Sequence, residues 1–373
     1  MSPKTRRPKK PFRLALLTGG GDCPGLNAVI RAAARSAFAL GWEVFGIEDG
    51  FEGLLTKRAR QLHPRDVKGI LHLGGTILGT SNRVSPFHVE RRAGERGKAK
   101  DADRSDEVLR NFKAMGFNAL IAIGGDGTLS IALRLAAKGL PVVGVPKTID
   151  NDIEQTSVTF GFDTAVSTAT DAIDKLHPTT EAHRRVMVVE LMGRNAGFIA
   201  LNSGVAGGAD VILIPEIPFD LALVADKIKE REKGHRGGYF SIVVVAEGAR
   251  AKGGKLHLRK IDTGEAPRLG GVGQWVAEEI AQRTGKETRS LVLGHLQRGG
   301  PPTTFDRLLG TRFGAAAVRA VADGAFETMV ALKPPTIVRV PLKVAVGGGR
   351  TKRVPLDSDV MKSARGLGIS FGD

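Results

Sequence analysis

Residues 146–152 place one lysine and two carboxylates within the sequence Pro-Lys-Thr-Ile-Asp-Asn-Asp. They follow an apolar run, 140–145, that predicts a buried strand delivering its next side chains into a ligand site. Asp150 and Asp152 are two positions apart, so an extended stretch points both carboxylates to the same side. Lys147 is close enough in sequence to pair with one of them or with a phosphate. In such a site Asp150 can accept the proton of an attacking hydroxyl, and the alternative is a turn whose Asx side chains bind backbone amides.

Glycines and a further carboxylate, Gly-Gly-Asp-Gly-Thr at 124–128, follow another apolar run at 119–123. Phosphoryl transfer needs a metal ion to neutralise charge between phosphates, and a carboxylate beside a glycine-rich loop can hold Mg²⁺ there. The alternative is that Asp126 only caps the helix predicted to start near Thr128. The Gly-Gly-Gly at 19–21 is a weaker signal for the same kind of site. Its backbone can approach phosphate oxygens, since glycine has no side chain in the way. These strand ends together predict a phosphoryl-transfer site.

Arginines, a histidine and a glutamate flank the remaining predicted strands. Planar guanidinium groups suit bidentate binding of phosphate, and a glutamate can bind sugar hydroxyls. Taken singly, each arginine is more typical of a surface and the histidine of a structural role. As a set they predict a pocket for a phosphorylated sugar. The residues are Arg185, Arg194, Arg289, Arg298, His295 and Glu247.

The formal net charge of the 373-residue chain is +16, which by itself would fit nucleic-acid binding. Much of the excess lies in a Pro-rich tail and in basic clusters at 91–100 and 350–353, which we expect to be solvated. The chain has one Tyr and two Trp, so platforms for base stacking are scarce. Small anionic substrates therefore explain the motifs better, and a basic nucleic-acid-binding α/β protein is the distant alternative.

Cys23 is the single cysteine, which argues against a disulfide framework or a cysteine metal cluster. No apolar stretch is long enough to span a bilayer, and no leader pattern is apparent. We therefore expect a cytoplasmic protein without a membrane partner.

Apolar strands alternate with helical segments along the chain, which predicts an α/β fold with two doubly wound lobes and mainly parallel sheets. The predicted strands are Phe12–Leu17, Glu43–Ile47, Ala119–Ile123, Leu140–Val145, Val186–Leu191, Val211–Ile214, Phe240–Ala246 and Ser290–Leu293. The predicted helices are Leu26–Leu40, Asp66–Leu73, Leu129–Ala137, Ala165–Leu176, Ala196–Val205, Leu221–Lys233, Val272–Arg283 and Asp306–Ala322. The segment after Val340 shows no clear periodicity.

These residues resemble the 6-phosphofructokinases through motifs that follow one another in the same order. The motifs are Leu-Thr-Gly-Gly-Gly-Asp-Cys-Pro-Gly-Leu-Asn from Leu17, Gly-Gly-Thr-Ile-Leu-Gly-Thr from Gly74, Ile-Gly-Gly-Asp-Gly-Thr from Ile123, Lys-Thr-Ile-Asp-Asn-Asp from Lys147, Glu-Leu-Met-Gly-Arg-Asn-Ala-Gly from Glu190 and Leu-Gly-His-Leu-Gln-Arg-Gly-Gly from Leu293. The resemblance runs from about residue 12 to about residue 325, and the motifs are jointly very specific.

The resemblance implies transfer of a phosphoryl group from ATP to the 1-hydroxyl of fructose 6-phosphate, giving fructose 1,6-bisphosphate in glycolysis. It implies that Asp150 is the base, that Arg194 and Lys147 are further catalytic residues, and that Asp126 holds Mg²⁺. The implied donor-binding residues are Gly21, Gly125, Asp126, Gly127 and Thr128. The implied substrate-binding residues are Thr148, Ile149, Asp150, Arg185, Met192, Gly193, Arg194, Glu247, Arg289, His295 and Arg298.

The resemblance also implies an active site in the cleft between the two lobes. The donor-binding lobe is expected to comprise 12–160 and about 296–340, and the sugar-phosphate lobe 161–295 and the C-terminal segment, after a basic, disordered tail at 1–11. Arg185 matches an arginine that in this family reaches into the neighbouring subunit's site. A homo-oligomer, a tetramer or a dimer, is therefore implied.

The phosphoryl donor is open, because the family contains ATP-dependent and pyrophosphate-dependent members. In pyrophosphate users the residue after the Mg²⁺ aspartate is typically a second Asp, in the space that the α-phosphate of ATP needs, whereas this chain has Gly127. Lys147, in contrast, is typical of pyrophosphate users. A carboxylate beside the α-phosphate excludes ATP sterically and by charge, while a lysine can coexist with it. ATP is therefore the predicted donor, and a reversible pyrophosphate-dependent enzyme is the alternative.

Overall fold

The computed structural model describes residues 11–81, 84–90, 101–233, 239–259 and 268–373. Residues 1–10 of the predicted tail and the basic cluster at 91–100 lie outside these described residues. Within the described ranges, no helix is long and apolar enough to cross a membrane.

Strands and helices alternate along most of the chain. The strands are β1 (Arg13–Gly19), β2 (Glu43–Ile47), β3 (Ala59–Leu62), β4 (Val89–Glu90), β5 (Asp101–Ala102), β6 (Ala119–Gly124), β7 (Val142–Pro146), β8 (Val186–Leu191), β9 (Val211–Leu213), β10 (Ser241–Ala246), β11 (Leu258–Arg259), β12 (Arg268–Leu269), β13 (Thr288–Val292), β14 (Thr328–Lys333) and β15 (Thr336–Pro341). The helices are α1 (Leu26–Ala39), α2 (Phe51–Thr56), α3 (Ser105–Ala114), α4 (Asp126–Ala136), α5 (Phe162–Ala182), α6 (Phe198–Ala206), α7 (Leu221–Lys233), α8 (Val272–Thr284), α9 (Thr304–Ala322), α10 (Leu342–Val346) and α11 (Asp359–Gly366), with a 3-10 helix at Gly294–Arg298.

Unit 1 takes in the described part of 1–147 together with Gln155–Phe160 and Arg307–Gly349. Its seven-stranded sheet has the order β15-β14-β7-β6-β1-β2-β3. The pairs from β14 to β2 are parallel, and the two edge pairs are antiparallel. All residues of β6 and β7 are buried, as is typical of parallel strands covered on both faces.

Unit 2 consists of Thr148–Glu154, Gly161–Asp306 and Arg350–Asp373. Its sheet has the order β13-β8-β10-β9, and every pair in it is parallel. Strands β8 and β10 are buried along their whole length. The core of this unit includes Phe219, which is fully buried and packs against Trp275 with ring centroids 6.2 Å apart.

The α/β fold with mainly parallel sheets is confirmed. The two units differ from the expected lobes in three segments. Residues 148–154 and 296–306 were expected with the donor-binding residues and belong to unit 2, whereas 341–349 was expected with the sugar-phosphate lobe and belongs to unit 1. The unit boundary therefore falls inside the motif at 146–152, between Lys147 and Thr148.

The helix predicted at Asp66–Leu73 is wrong. This segment forms turns, in which the N–H of Asp66 donates to the His63 carbonyl oxygen at 2.9 Å. Gly69, in its middle, has a φ of +79°, which a right-handed helix does not accommodate. The segment after Val340, for which no pattern was apparent, contains the two short helices α10 and α11.

Candidate active site

The glycine loop of unit 1 follows β1 and is held by hydrogen bonds from two sides. Gly20 has a φ of +78°, a conformation that glycine adopts without steric cost, and its N–H donates to the Ser81 carbonyl oxygen at 3.1 Å. Lys147 is 3% exposed and donates from Nζ to the Gly21 carbonyl oxygen. Burial of an ammonium group is costly unless it is hydrogen-bonded, so this contact ties β7 to the glycine loop. The backbone N–H of Lys147 also donates to the Gly124 carbonyl oxygen, at 2.9 Å.

The second glycine segment opens α4. Gly125 occupies the N-cap position and Asp126 is the first helical residue, so Asp126 does not cap the helix. Asp126 and Gly127 are exposed, whereas Thr128 is 6% exposed and packs against the neighbouring glycines. A Cβ on Gly124 would lie 2.3 Å from the Cβ of Thr128, so glycine is required at that position.

Asp126 is the carboxylate of unit 1 that fits a magnesium ion. Among the described residues, no group of three or more His, Cys, Asp or Glu side chains forms a metal cage. Mg²⁺ is usually bound by one or two carboxylates together with substrate phosphates and water rather than by such a cage. An exposed carboxylate beside the N–H groups of a helix N-terminus matches that mode of binding, because the same N–H groups favour phosphate.

In unit 2 the turn that carries Asp150 is anchored by a buried neighbour on each side. The N–H of Asp150 donates to Thr148 Oγ1 at 3.1 Å, and both residues are half-buried. The side chain of Ile149 is fully buried, and Asn151 is 5% exposed with a φ of +54°. Thr148 and Asp150 are therefore only partly covered, while Ile149 contributes mainly by holding the turn in place.

The loop after β8 carries three of the predicted substrate residues. Met192 is half-buried and its N–H donates to Gln297 Oε1 at 3.3 Å. Gly193 has a φ of +137°, and Arg194 is exposed. A Cβ on Gly248, after β10, would lie 2.0 Å from the Arg194 carbonyl oxygen, so the two strand-end loops touch through their backbones.

Glu247 lies directly after β10, next to other charged groups of unit 2. Burial, together with the negative charges of Asp150 and Glu190, raises its pKa from 4.5 to about 7. The positive charge of Arg298 and a hydrogen bond from the Gly193 N–H lower the pKa of Glu247. The structure therefore brings together Asp150, Glu247, Arg298 and the Gly193 backbone, which sequence reasoning had assigned to one pocket.

Glu190 is a residue whose role sequence reasoning missed. It lies within the buried strand β8 and is 2% exposed. Its carboxylate accepts hydrogen bonds from the N–H groups of Gly271 and Gly273 at the start of α8, at 3.1 and 2.7 Å. A glutamate inside an otherwise apolar strand was the available signal, because such a group needs buried donors. Glu190 thus links the helix to the strand that leads to the Met192 loop.

Arg185 and Arg289 lie at the other end of the unit 2 sheet. Arg185 immediately precedes β8, and Arg289 is in register with Met187, near the start of that strand. Both arginines contact Glu287 Oε1, at 3.2 and 2.9 Å. The six residues of β8 span roughly 20 Å between this end and the Met192 loop. Within one chain these two arginines are therefore not brought together with Asp150.

His295 and Arg298 lie on the 3-10 helix after β13. His295 is exposed and Arg298 is half-buried. Gln297 between them is fully buried, and its Nε2 donates to the Gly294 carbonyl oxygen at 3.1 Å. Gln297 was quoted in a motif without a role, and it connects this helix to Met192.

Comparison with known proteins finds similarity over nearly the whole chain. A family model described as Phosphofructokinase matches residues 13–321. An ATP-dependent 6-phosphofructokinase of Chloroflexus aurantiacus is 55% identical over 366 residues, covering 98% of this chain and 99% of that protein. A pyrophosphate--fructose 6-phosphate 1-phosphotransferase of Amycolatopsis mediterranei is 52% identical over 352 residues, covering 93% and 97%.

Among solved structures, a Pichia pastoris phosphofructokinase in the T-state superposes with a TM-score of 0.77 at 31% identity. The match covers 93% of this chain and 36% of the yeast chain, so this chain spans about a third of that protein's length.

The raised pKa of Glu247 predicts a pH-dependent stability. The folded-state pKa of about 7 exceeds the ordinary value of 4.5, so the unfolded chain ionises this carboxyl first. The free energy of unfolding therefore falls as the pH rises from about 4.5 to about 7. We expect the free energy of unfolding of Glu247→Gln, relative to that of the wild type, to rise by about 2–3 kcal/mol from pH 4.5 to pH 8. Chemical denaturation at several pH values measures this difference.

Glu278→Gln is the matched control, because Glu278 is exposed on α8. Its pH dependence should follow that of the wild type. A Glu247→Gln protein whose stability varied with pH just as the wild type does would contradict the assignment.

Proposed function

The chain belongs to the phosphofructokinase family, and on this premise we propose that it transfers the γ-phosphoryl group of ATP to the 1-hydroxyl of fructose 6-phosphate. The products are ADP and fructose 1,6-bisphosphate, and the reaction belongs to glycolysis. The observation that carries this proposal is the grouping of Asp150, Glu247 and Arg298 in unit 2. Two carboxyl groups and a guanidinium suit an acceptor that carries hydroxyls and a phosphate.

Asp150 is the proposed base in the transfer step. Its carboxylate accepts the proton of the 1-hydroxyl while that oxygen forms a bond to the γ-phosphorus and the bond from phosphorus to ADP breaks. Glu247, with a pKa of about 7, is partly protonated at neutral pH and can donate a hydrogen bond to a sugar hydroxyl. Its partial neutrality also reduces repulsion between the site and the sugar phosphate. Arg194, exposed on its loop, is the proposed partner of the phosphoryl group in transfer.

Unit 1 supplies the proposed donor-binding residues. The N–H groups at the start of α4 and the loop Gly19–Gly21 suit the phosphates of the donor, and Asp126 would hold Mg²⁺. When bound, Mg²⁺ neutralises charge on the β- and γ-phosphates. Lys147 acts on the glycine loop through the Gly21 carbonyl oxygen, which fixes the loop's conformation.

Gly127 supports ATP as the donor. No atom lies within 4 Å of the position that a Cβ would take there, and the backbone is outside the left-handed region. An aspartate would therefore fit without strain, so packing alone does not dictate glycine. Its carboxylate would add a negative charge beside the donor phosphates, and the glycine avoids this repulsion with a nucleotide.

Pyrophosphate is the second candidate donor, and Lys147 is the residue that favours it. The relative from Amycolatopsis mediterranei carries a pyrophosphate-dependent name at 52% identity, against 55% for the ATP-dependent Chloroflexus protein. Overall sequence identity therefore does little to distinguish the two donors. The choice between them rests on the residues proposed to lie at the donor phosphates.

Arg185 and Arg289 support a homo-oligomer in which they serve a neighbouring subunit's site. They lie roughly 20 Å from the Met192 loop along β8, further than an arginine side chain reaches. Glu287 holds both guanidinium groups at one edge of the sheet. In a cyclic dimer, or a tetramer built from dimers, the same edge faces a second copy, so each site can receive the pair from its neighbour.

The donor is tested by measuring phosphorylation of fructose 6-phosphate with Mg²⁺ and either ATP or pyrophosphate at equal concentration. We expect turnover with ATP and little with pyrophosphate. Gly127→Asp should lower kcat/KM for ATP by about 100-fold, because it places a carboxylate beside the donor phosphates. Turnover of the wild type with pyrophosphate alone would show that Lys147 outweighs Gly127 and would overturn the choice of donor.

The proposal that Arg185 serves the neighbouring subunit's site is tested with two inactive variants, Asp150→Ser and Arg185→Ala. The two proteins are mixed, unfolded together and refolded. If each site takes Asp150 from one subunit and Arg185 from its neighbour, random association leaves about one quarter of the sites intact. We therefore expect the mixture to recover up to about a quarter of wild-type activity.

A mixture of Asp150→Ser with Arg298→Ala is the matched control for this complementation. Both residues belong to unit 2 of the same chain and lie near Glu247, so no intact site forms and no activity should return. The same lack of recovery in the Arg185→Ala mixture would contradict the proposed crossing.

A further inference from the structure

The basic cluster at 350–353, expected to be solvated, contains a residue that is bound to the turn carrying Asp150. Arg350 and Arg353 are exposed, as expected, whereas Lys352 is half-buried. Lys352 Nζ donates to Asn151 Oδ1 at 3.0 Å, and its backbone N–H donates to the Asp152 carbonyl oxygen at 2.8 Å. Two consecutive residues of the turn are thus held by one residue that lies 201 positions away in the chain.

The turn needs such support because of its backbone. Asn151 has a φ of +54° and is 5% exposed, so its left-handed conformation is fixed inside the protein rather than by solvent. A non-glycine residue in this region is strained and persists only where its surroundings impose it. Asp150 immediately precedes this residue, so the direction of its carboxylate depends on the same backbone.

The segment 352–354, here called the C-terminal strap, is also linked through Glu216 to the loop that carries Arg194. The Val354 N–H donates to Glu216 Oε1 at 2.9 Å. The same carboxylate accepts the N–H of Gly197, three residues after Arg194, at 3.0 Å.

The side chain of Lys352 reinforces this connection. Its Nζ lies 5.2 Å from the centroid of the Phe198 ring at the start of α6, within the range of a cation–π contact. The strap therefore joins the two catalytic segments of unit 2, one with the proposed base and one with the proposed phosphoryl-binding arginine.

We infer that Lys352 is a positioning residue for phosphoryl transfer, acting through Asn151 on the orientation of Asp150. This inference rests on the proposed function. Lys352 donates to the Asn151 side chain and the Asp152 main chain, so its effect falls on the geometry of the base rather than on substrate affinity. A base displaced by a fraction of an ångström lowers the rate of transfer while the sugar is still bound by other residues.

The test is Lys352→Met in the full-length protein, which keeps an unbranched apolar stem beside Phe198 and removes the ammonium. We expect kcat to fall about 10-fold while KM for fructose 6-phosphate changes less than about twofold. Lys352→Arg keeps a donor at this position and should recover part of the loss. The matched control is Arg353→Met, an exposed neighbour in the same cluster, which should behave as wild type.

A double-mutant cycle identifies the path of the effect. Asn151→Gly removes the amide that Lys352 binds, and glycine tolerates the φ of +54°. If Lys352 acts through Asn151, then the double variant should be about as slow as the slower single variant, because both changes break the same contact. If the double variant instead lowered kcat by the product of the two single effects, Lys352 would not act through Asn151.

Amide hydrogen exchange supplies a readout that does not depend on activity. We expect the peptide covering 148–154 to exchange faster in Lys352→Met than in wild type, with exchange in β6 unchanged. Unchanged exchange at 148–154, or a normal kcat with only a lower melting temperature, would overturn the inference. A raised KM with normal kcat would show instead that Lys352 binds the sugar phosphate. An inactive wild type would refute the proposed function, and exchange alone would then decide whether the strap holds the turn.

Discussion

Burial of the central strands on both faces is the constraint on which the rest of the structure depends. All residues of β6, β7, β8 and β10 are buried, so these strands accept few polar side chains along their length. The ionisable groups proposed to bind ligands therefore lie after the strands end, as Asp126, Asp150 and Glu247 do. Glu190 is the exception inside β8, and it is tolerated because two N–H groups at the start of α8 bind its carboxylate.

The same constraint explains the position of Lys147. Its buried ammonium group binds the Gly21 carbonyl oxygen, so part of its role is to hold the glycine loop whichever donor is used. The residue that resembles pyrophosphate users thus has a structural partner within unit 1. Gly127 is exposed and has free space around it, so in the proposed site it is the position at which a side chain would meet the donor.

Local patterns predicted much of the fold, and they singled out Asp150, Glu247 and Arg298, which the structure brings together. Apolar runs of five to seven residues located most of the central strands, and the bounds of β2 and β8 agree with the prediction to the residue. The predicted helix at 66–73 failed because Gly69 adopts a positive φ, which composition alone does not reveal.

Contacts between distant parts of the chain could not be predicted in this way. No local signal shows that Lys352 reaches Asn151, and a basic cluster is ordinarily solvated. The separation of Arg185 and Arg289 from Asp150 likewise depends on strand register, which motifs do not encode.

The central claim is that Asp150 accepts the proton of the acceptor hydroxyl, and the most direct test is the steady-state kinetics of Asp150→Ser. We expect kcat to fall at least about 100-fold with KM values for fructose 6-phosphate and ATP within a few-fold of wild type. Asp171→Ser, an exposed aspartate on α5, is the control and should be fully active. Near-normal turnover by Asp150→Ser would contradict the account.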